Sequence, residues 1–212
     1  MNQRYSNRAA AGRELASHLQ QYRGRSNVII LGLPRGGVPV AFEVAQSLDV
    51  PLDVLIVRKL GAPGQPEFAL GAIASGGITV INPEAPPGLL DTPQFARERL
   101  AEFQELERRE QLYRGKHAAP AIQGNTVILI DDGAATGASM LAAVRAAQQL
   151  GAQRIVVALP VASSTACDAL RSEADEVLCV NESAAFLAVG DWYRDFAQTS
   201  DREVAELLAR AQ

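Results

Sequence analysis

Apolar runs rich in valine, isoleucine and leucine alternate with helical patterns through the second half of this 212-residue chain. This alternation predicts strands at 126–130, 154–159 and 176–180, with helices at 137–150 and 163–171 between them. Strands that are apolar on both faces and connected by helices are typical of a parallel sheet with helices on each side. We therefore expect an α/β fold, with a mostly parallel sheet flanked by helices.

The first half begins with the same pattern and then loses it. Two helices and two strands are predicted there, namely a helix at 8–22, a strand at 27–33, a helix at 39–48 and a strand at 53–57. Glycine and proline then become frequent, a short ribbon is predicted at 68–81, and Thr92-Pro93 opens a long helix to about residue 113. We expect one domain with a small lid or insert at about 60–120 and a variable C-terminal hood or tail at about 181–212.

Charge and composition exclude several classes of function. The net charge is −4 and the isoelectric point about 5.3, so neither nucleic acid nor an anionic membrane is an expected partner. The two cysteines and two histidines lack the spacing of a metal site. The sequence shows neither a signal-peptide pattern nor a run of about 20 apolar residues. We expect a cytoplasmic location.

The stretch VILIDDGAATGASM, residues 127–140, is the most informative for function. Asp131 and Asp132 would stand at the carboxyl end of a buried strand, where open parallel sheets bind their ligands. Seven small residues then lead into a helix whose first amides lack helical partners and whose end carries a partial positive charge. The arrangement predicts a phosphate cradle, with the hydroxyls of Thr136 and Ser139 as further donors.

The acidic pair would repel a phosphate, so we expect Asp131 and Asp132 to accept hydrogen bonds from hydroxyls or to organise Mg²⁺. A phosphorylated polyol satisfies both requirements. The alternative is that Asp-Asp-Gly is simply a turn followed by a helix cap. The loop is not a Walker motif, because no lysine follows its second glycine.

Residues 127–139 resemble the phosphoribosyl-pyrophosphate signature of the type I phosphoribosyltransferases, which has four apolar strand residues, two acids and a Thr-Gly phosphate loop. Leu33-Pro34-Arg35-Gly36-Gly37 after the first strand is similar to the pyrophosphate-binding loop of that family. The whole chain looks most similar to bacterial phosphoribosyltransferase-like proteins of unassigned substrate. With these it shares Arg-Lys-Leu-Gly at 58–61 and Trp-Tyr-x-Asp-Phe at 192–196.

The resemblance implies a Mg²⁺-dependent glycosyltransferase of nucleotide salvage and nucleoside metabolism. It would transfer the 5-phosphoribosyl group from 5-phosphoribosyl-1-pyrophosphate to a nitrogenous base and release pyrophosphate. Asp131 and Asp132 would bind the ribose hydroxyls and contact Mg²⁺ through them or through water. The 5′-phosphate would be bound by the loop residues Ala134, Ala135, Thr136, Gly137, Ala138 and Ser139.

The pyrophosphate would bind the backbone of Arg35, Gly36 and Gly37, a loop that often includes a non-proline cis peptide in this family. Arg58 and Lys59, which we place at the end of the second strand and at the same edge as Arg35, would add positive charge. The catalytic residues implied are Arg35, Lys59, Asp131 and Asp132.

The acceptor base would lie near Phe186, Asp191 and Trp192, and Asp191 is a further candidate for contact with Mg²⁺. Ala135 stands where purine-salvage relatives carry an aspartate that faces the base, which argues against a hypoxanthine- or guanine-type acceptor. The sequence does not identify the acceptor. The resemblance also suggests a homodimer.

Two rival functions remain open at this stage. A non-catalytic regulatory protein could bind the same donor without turnover. A phosphatase could use Asp131 as its nucleophile, although the small-residue loop and the missing downstream lysine or acid motif disfavour it.

Overall fold

The computed structural model describes residues 4–62, 65–82, 85–115 and 118–211, without the side chains of 65–69 and 87. The helices and strands in these ranges are, in chain order, α1 (Arg8–Ser17), β1 (Val28–Gly32), α2 (Gly37–Leu48), β2 (Leu52–Val54), β3 (Val57–Ala62), β4 (Gln65–Ala74), β5 (Ile78–Ile81), α3 (Pro87–Leu90), α4 (Pro93–Arg114), β6 (Thr126–Ile130), α5 (Ala138–Gln149), β7 (Arg154–Ser163), α6 (Ser164–Arg171), β8 (Glu176–Ser183) and α7 (Asp201–Arg210).

The main sheet has five parallel strands in the order β2-β1-β6-β7-β8. Its central strands β1 and β6 are buried along their whole length, and they pair in register from Val28 with Thr126 to Gly32 with Ile130. The expected α/β fold with a mostly parallel sheet is confirmed.

Alternate residues of β6 enter two different cores, one on each face of the sheet. Ile128 and Ile130 pack with side chains of α1, α2 and α7. Val127 and Leu129 pack with side chains of α5 and α6. Each fully buried aliphatic side chain of this size contributes about 1.5–3 kcal/mol, so both helical layers hold the sheet.

A second sheet of three antiparallel strands, in the order β3-β4-β5, packs against α4 and α5. The ribbon expected at 68–81 is present, but it has β3 as an additional strand. The sequence placed Arg58 and Lys59 at the end of the second strand, and this is wrong. That strand ends at Val54, and both residues lie in β3, where they pair with Ile73 and Ala72 of β4.

The starts of α4 and α7 follow the capping signals in the sequence, whereas β7 and β8 extend three to four residues beyond their predicted ends at 159 and 180. Thr92 caps α4 by accepting a hydrogen bond from the amide of Phe95 at 3.2 Å, and Ser200 caps α7 through the amide of Glu203 at 3.1 Å. The predicted first helix ends earlier, at Ser17, before a 3₁₀ turn. Within the described ranges, every helix is too short or too polar to cross a membrane.

Candidate functional site

The loops after β1 and β6 leave the main sheet side by side. The amide of Leu33 donates to the carbonyl of Ile130 at 2.8 Å, which continues the pairing of the two strands one residue beyond their ends. Both sequence motifs therefore meet at the carboxyl edge of the sheet. This edge is the usual position of ligand sites in open parallel sheets.

The loop after β6 is fixed to the end of β7. The amide of Ala134 donates to Val161 at 3.1 Å, and the Ser163 hydroxyl donates to the carbonyl of Ala135 at 2.6 Å. Gly137 caps α5 at φ +75°, a conformation that side chains rarely adopt. A Cβ on Gly137 would also lie 3.2 Å from that of Ala166. Glycine is therefore required for this turn.

The turn leaves several backbone donors without a partner. Within the described part of the chain, the amides of Ala135, Thr136, Gly137 and Ser139 donate no hydrogen bond, whereas that of Ala138 reaches Thr136 Oγ1 at 3.4 Å. Except for Gly137, these residues are exposed. The free amides stand at the positive end of the 12-residue helix α5. Together they form a site for an anion.

Asp131 and Asp132 are half-buried beside this loop. Asp131 Oδ1 accepts a hydrogen bond from the amide of Asp132 at 2.8 Å. Burial raises the pKa of the Asp131 carboxyl well above its usual range, and the charge of Asp132 adds to the rise. Burial also raises the pKa of Asp132, although an ion pair with Arg8 opposes the rise. The two carboxylates thus lack the solvation that hydroxyls of a ligand would restore.

The glycines of the first loop allow it to touch the second. A Cβ on Gly36 would lie 2.1 Å from Asp132 Oδ2, and one on Gly37 would lie 2.6 Å from the carbonyl of Ile130. The peptide between Pro34 and Arg35 is cis. Among the described residues, the amides of Arg35 and Gly36 donate no hydrogen bond, whereas that of Gly37 donates to Leu33 at 3.0 Å. The first loop therefore offers two further free donors.

The cationic side chains predicted for the pyrophosphate do not converge on one point. Arg35 Nη1 lies 3.8 Å from Asp201 Oδ1 at the start of α7. Arg58 forms an ion pair with Glu102 of α4, with 2.5 Å between Nε and Oε2. Lys59 lines a cavity of about 230 Å³ together with Ser139, so it lies on the side of the second loop.

The predicted acceptor region forms a small aromatic cluster above the second loop. Trp192 is buried, 7% exposed, and its ring stacks on Phe186 with 5.9 Å between centroids. Asp191 is exposed. Val189, from the segment between Phe186 and Trp192, packs against Gly133, the residue that follows the acidic pair. A Cβ on Gly133 would lie 2.7 Å from Val189 Cγ1. Phe186 covers one face of Trp192 and is the more exposed of the two rings.

Sequence reasoning missed Arg8 and Tyr193. Arg8 Nε contacts Asp132 Oδ2 at 2.7 Å, and the Tyr193 hydroxyl donates to the carbonyl of Asp132 at 2.6 Å. Burial raises the pKa of Tyr193, so its hydroxyl stays protonated as a donor. One sequence signal did exist. Arg8 is the first residue of α1, where the helix dipole disfavours a cation.

Known proteins place these features in a family. A model of the phosphoribosyl transferase domain matches residues 3–196. A Mycobacterium tuberculosis H37Rv protein, Rv0571c, provisionally named a phosphoribosyl transferase, is 46% identical over 209 residues, which are 98% of this chain and 47% of that protein. The chain thus spans about half the length of the curated relatives it matches.

Solved structures agree with that match. The crystal structure of TT1426 from Thermus thermophilus is 44% identical and superposes with a TM-score of 0.86, covering 98% of each chain. The structure of AQ2163 from Aquifex aeolicus, only 11% identical, has a TM-score of 0.52 over 95% of this chain and 84% of its own, and it supports the fold alone. Because the family model covers residues 3–196 and relatives match at 46% and 44% identity, the chain belongs to the phosphoribosyl transferase domain family.

Proposed function

We propose that this chain transfers the 5-phosphoribosyl group from 5-phosphoribosyl-1-pyrophosphate to a nitrogenous base. The observation that carries the proposal is a group of four amides, those of Ala135, Thr136, Gly137 and Ser139, that have no partner among the described residues. They stand beside the half-buried carboxylates of Asp131 and Asp132. The free amides can bind an anion, and the carboxylates can accept hydrogen bonds from hydroxyls. A ribose 5-phosphate carries both groups, with the phosphate at one end and the hydroxyls at the other. In the rival phosphatase, Asp131 would attack the phosphate, but here that carboxylate is desolvated and hydrogen-bonded to the amide of Asp132.

The donor would be held at three points. The amides of 135–139, with the hydroxyls of Thr136 and Ser139, receive the 5′-phosphate. Asp131 and Asp132 accept hydrogen bonds from the ribose 2′- and 3′-hydroxyls. The amides of Arg35 and Gly36 receive the pyrophosphate at the neighbouring loop. Fixing the sugar at both ends orients the anomeric carbon for attack, which is the main contribution that such a site makes to the rate.

Mg²⁺ fits this site as a companion of the substrate. Among the described residues, no three acidic, histidine or cysteine side chains are grouped to hold a metal ion. A site with two carboxylates beside the substrate suits Mg²⁺, which is commonly bound by one or two carboxylates together with substrate phosphates. Asp131 and Asp132 would hold it through the ribose hydroxyls or through water, with Asp191 as a further candidate. When bound, the ion supplies positive charge against the charge that grows on the leaving pyrophosphate.

In the transfer step, the bond between the anomeric carbon and the pyrophosphate oxygen breaks, and its electron pair leaves with the pyrophosphate. The lone pair of the base nitrogen forms the new bond. A purine or pyrimidine nitrogen then releases its proton to water, whereas a pyridine nitrogen has no proton and keeps the positive charge. Arg35, on the first loop, supplies charge on the leaving side, whereas Lys59 lines the cavity beside Ser139 and adds its charge there. Arg58 can add its charge only after it leaves Glu102 of α4. A lid formed by the segment at about 60–120, which contains Glu102, would make this exchange possible.

The acceptor base would be bound by the hood at 181–212. Phe186, stacked on Trp192, offers an aromatic face, and Asp191 offers a carboxylate at its edge. Ala135 leaves the second loop without a carboxylate for the base. A base that needs no carboxylate from this loop is therefore the expected acceptor.

The test is the release of pyrophosphate when the protein, the donor and Mg²⁺ are incubated with purine, pyrimidine and pyridine bases in turn. We expect release that depends on one class of base and disappears in Asp131→Asn. Binding of the donor by calorimetry without release for any base would favour the regulatory alternative. Failure to bind the donor at all would contradict the proposal.

A further inference from the structure

Arg8 connects the acidic pair to the C-terminal tail. Its Nε contacts Asp132 Oδ2 at 2.7 Å, its Nη1 donates to the carbonyl of Ala197 at 2.7 Å, and its guanidinium carbon lies 4.0 Å from the ring centroid of Phe196. We propose that Arg8 is a positioning residue that holds the Asp132 carboxylate for the sugar donor, and that the tail holds Arg8 in turn. The inference rests on the proposed function.

The ion pair is well enclosed. The side chains of Arg8 and Asp132 are 12% and 13% exposed, so water screens their attraction weakly. The pair also rests on the pyrophosphate loop, because a Cβ on Gly36 would lie 2.1 Å from Asp132 Oδ2 and 3.3 Å from Arg8 Nε. Arg8 therefore holds Asp132 at the point where the two loops of the site meet.

Local structure alone gives no reason for an arginine at this position. Arg8 is the first residue of α1, the first turn of that helix contains no acidic residue, and Asn7 already caps it by accepting from the amide of Ala10 at 2.9 Å. A cation at this helix end opposes the dipole. A residue that breaks a local rule is expected to serve a distant contact, and here the contact is with Asp132, 124 positions away.

The tail is itself docked on the N-terminal segment. The amide of Tyr5 donates to Trp192 and the amide of Arg194 donates to Tyr5, both at 2.8 Å. The Tyr193 hydroxyl reaches the carbonyl of Asp132 from the same side. A tail that leaves this position would take from Arg8 both the carbonyl and the aromatic ring that fix it. The orientation of Asp132 therefore depends on the tail through Arg8.

The experiment compares Arg8→Gln, Arg8→Lys and Arg114→Gln in the full chain. Arg114 is a matched control, since it also bonds a carboxylate (Asp53, 2.9 Å) and a carbonyl (Val54, 2.6 Å) and is 9% exposed, but it lies outside the site. The measurements are the Kd of 5-phosphoribosyl-1-pyrophosphate with Mg²⁺ by calorimetry, the Tm, and the KM and kcat of the turnover.

We expect Arg8→Gln to raise the donor Kd and KM about tenfold or more, the effect of losing a charge-assisted hydrogen bond, with a smaller change in kcat. Arg8→Lys should bind the donor more tightly than Arg8→Gln but more weakly than the wild type. Lysine keeps the positive charge but lacks the several fixed N–H donors of the guanidinium. Arg114→Gln should lower the Tm and leave the Kd unchanged. If Arg8→Gln lowers only the Tm, or if Arg114→Gln weakens the donor equally, Arg8 is merely structural.

A second variant keeps the proposal open to refutation even if Arg8→Gln fails to fold. Phe196→Leu leaves Arg8 in place and removes the aromatic face, so we expect a donor Kd about threefold higher, and no further loss when it is combined with Arg8→Lys. If the effects of Phe196→Leu and Arg8→Lys on the donor Kd are fully additive, the tail does not act through Arg8. A wild-type chain that does not bind the donor would refute the proposed function instead.

Discussion

The loop after β6 and the three-stranded sheet both border the proposed site, and they are built differently. In the loop, the turn at Gly137 and the hydrogen bonds to Val161 and from Ser163 fix a set of backbone amides that have no partner in the described part of the chain. In the sheet, the charge belongs to side chains, and that of Arg58 is already neutralised by Glu102.

The difference predicts that the 5′-phosphate and the pyrophosphate of the donor bind in different ways. Backbone donors fixed by a fold need no reorganisation when an anion arrives, so the site that we propose for the 5′-phosphate would be preformed. A cation held in an ion pair has to exchange its partner first. We therefore expect the sugar phosphate to bind to a rigid surface and the pyrophosphate to require movement of the lid.

Asp131→Asn gives the largest expected effect on the preformed side. Asparagine keeps the hydrogen bond from the amide of Asp132 but loses the charge, so the donor should bind more weakly by about 1.5–3 kcal/mol. That is roughly 10- to 150-fold in Kd, measured by calorimetry. An unchanged affinity would remove Asp131 from the site.

The same substitution should stabilise the ligand-free protein. Burial raises the folded-state pKa of Asp131. The folded state then holds this proton to higher pH than the unfolded state, so the contribution of Asp131 to stability falls as pH rises from about 4 toward its folded-state pKa. Asp131→Asn removes this cost, so its Tm at pH 7 should exceed that of the wild type. A lower Tm at pH 7 would show that the charged carboxylate stabilises the fold.

Gly36→Ala tests the contact between the two loops. The backbone of Gly36 has φ −63°, which alanine adopts freely, so the effect comes from the Cβ alone, 2.1 Å from Asp132 Oδ2. Accommodating this Cβ should cost about 1–3 kcal/mol of stability, and the displaced carboxylate should bind the donor more weakly. Gly88→Ala is the control, because a Cβ there meets no atom within 4 Å. Equal affinities for the two variants would contradict the contact.

Gly137→Ala tests whether the amides depend on the turn. Alanine at φ +75° should cost about 1–2 kcal/mol of stability, measured by denaturant unfolding. The affinity for inorganic phosphate should fall as well, because the amides at 135–139 would no longer point to one centre. Loss of stability with unchanged phosphate affinity would locate the anion elsewhere.

Glu102→Gln has the smallest expected effect and tests the role of Arg58 in the three-stranded sheet. Its ion pair with Arg58 is about a quarter exposed, so the stability should change by at most about 1 kcal/mol. Because the substitution releases Arg58, pyrophosphate should bind a few-fold more tightly, whereas Arg58→Gln should weaken it. If neither variant alters pyrophosphate affinity, Arg58 has no part in the site and the segment at 60–120 is not a cationic lid.

How far the sequence could predict the structure differs between the same two regions. The strand at 126–130 and the helix after it were predicted to within one residue, because a buried apolar run and a glycine turn are local signals. Arg58 and Lys59 were misplaced because the apolar run at 54–57 is uninterrupted in sequence. In the structure, β2 of the main sheet ends at Val54 and β3 of the second sheet begins at Val57, so one apolar run belongs to two sheets. The pairing of Arg8 with Asp132 spans 124 positions and depends on the folded tail. A cation at the start of α1 marks Arg8 as unusual, but no local pattern identifies Asp132 as its partner.

The most direct test of the central claim is a crystal structure of the chain with 5-phosphoribosyl-1-pyrophosphate and Mg²⁺. We predict that the 5′-phosphate lies within hydrogen-bond distance of the amides at 135–139, and that the ribose hydroxyls contact Asp131 and Asp132. A donor bound elsewhere, or a phosphate that reaches the loop while both carboxylates contact only protein groups, would contradict this account.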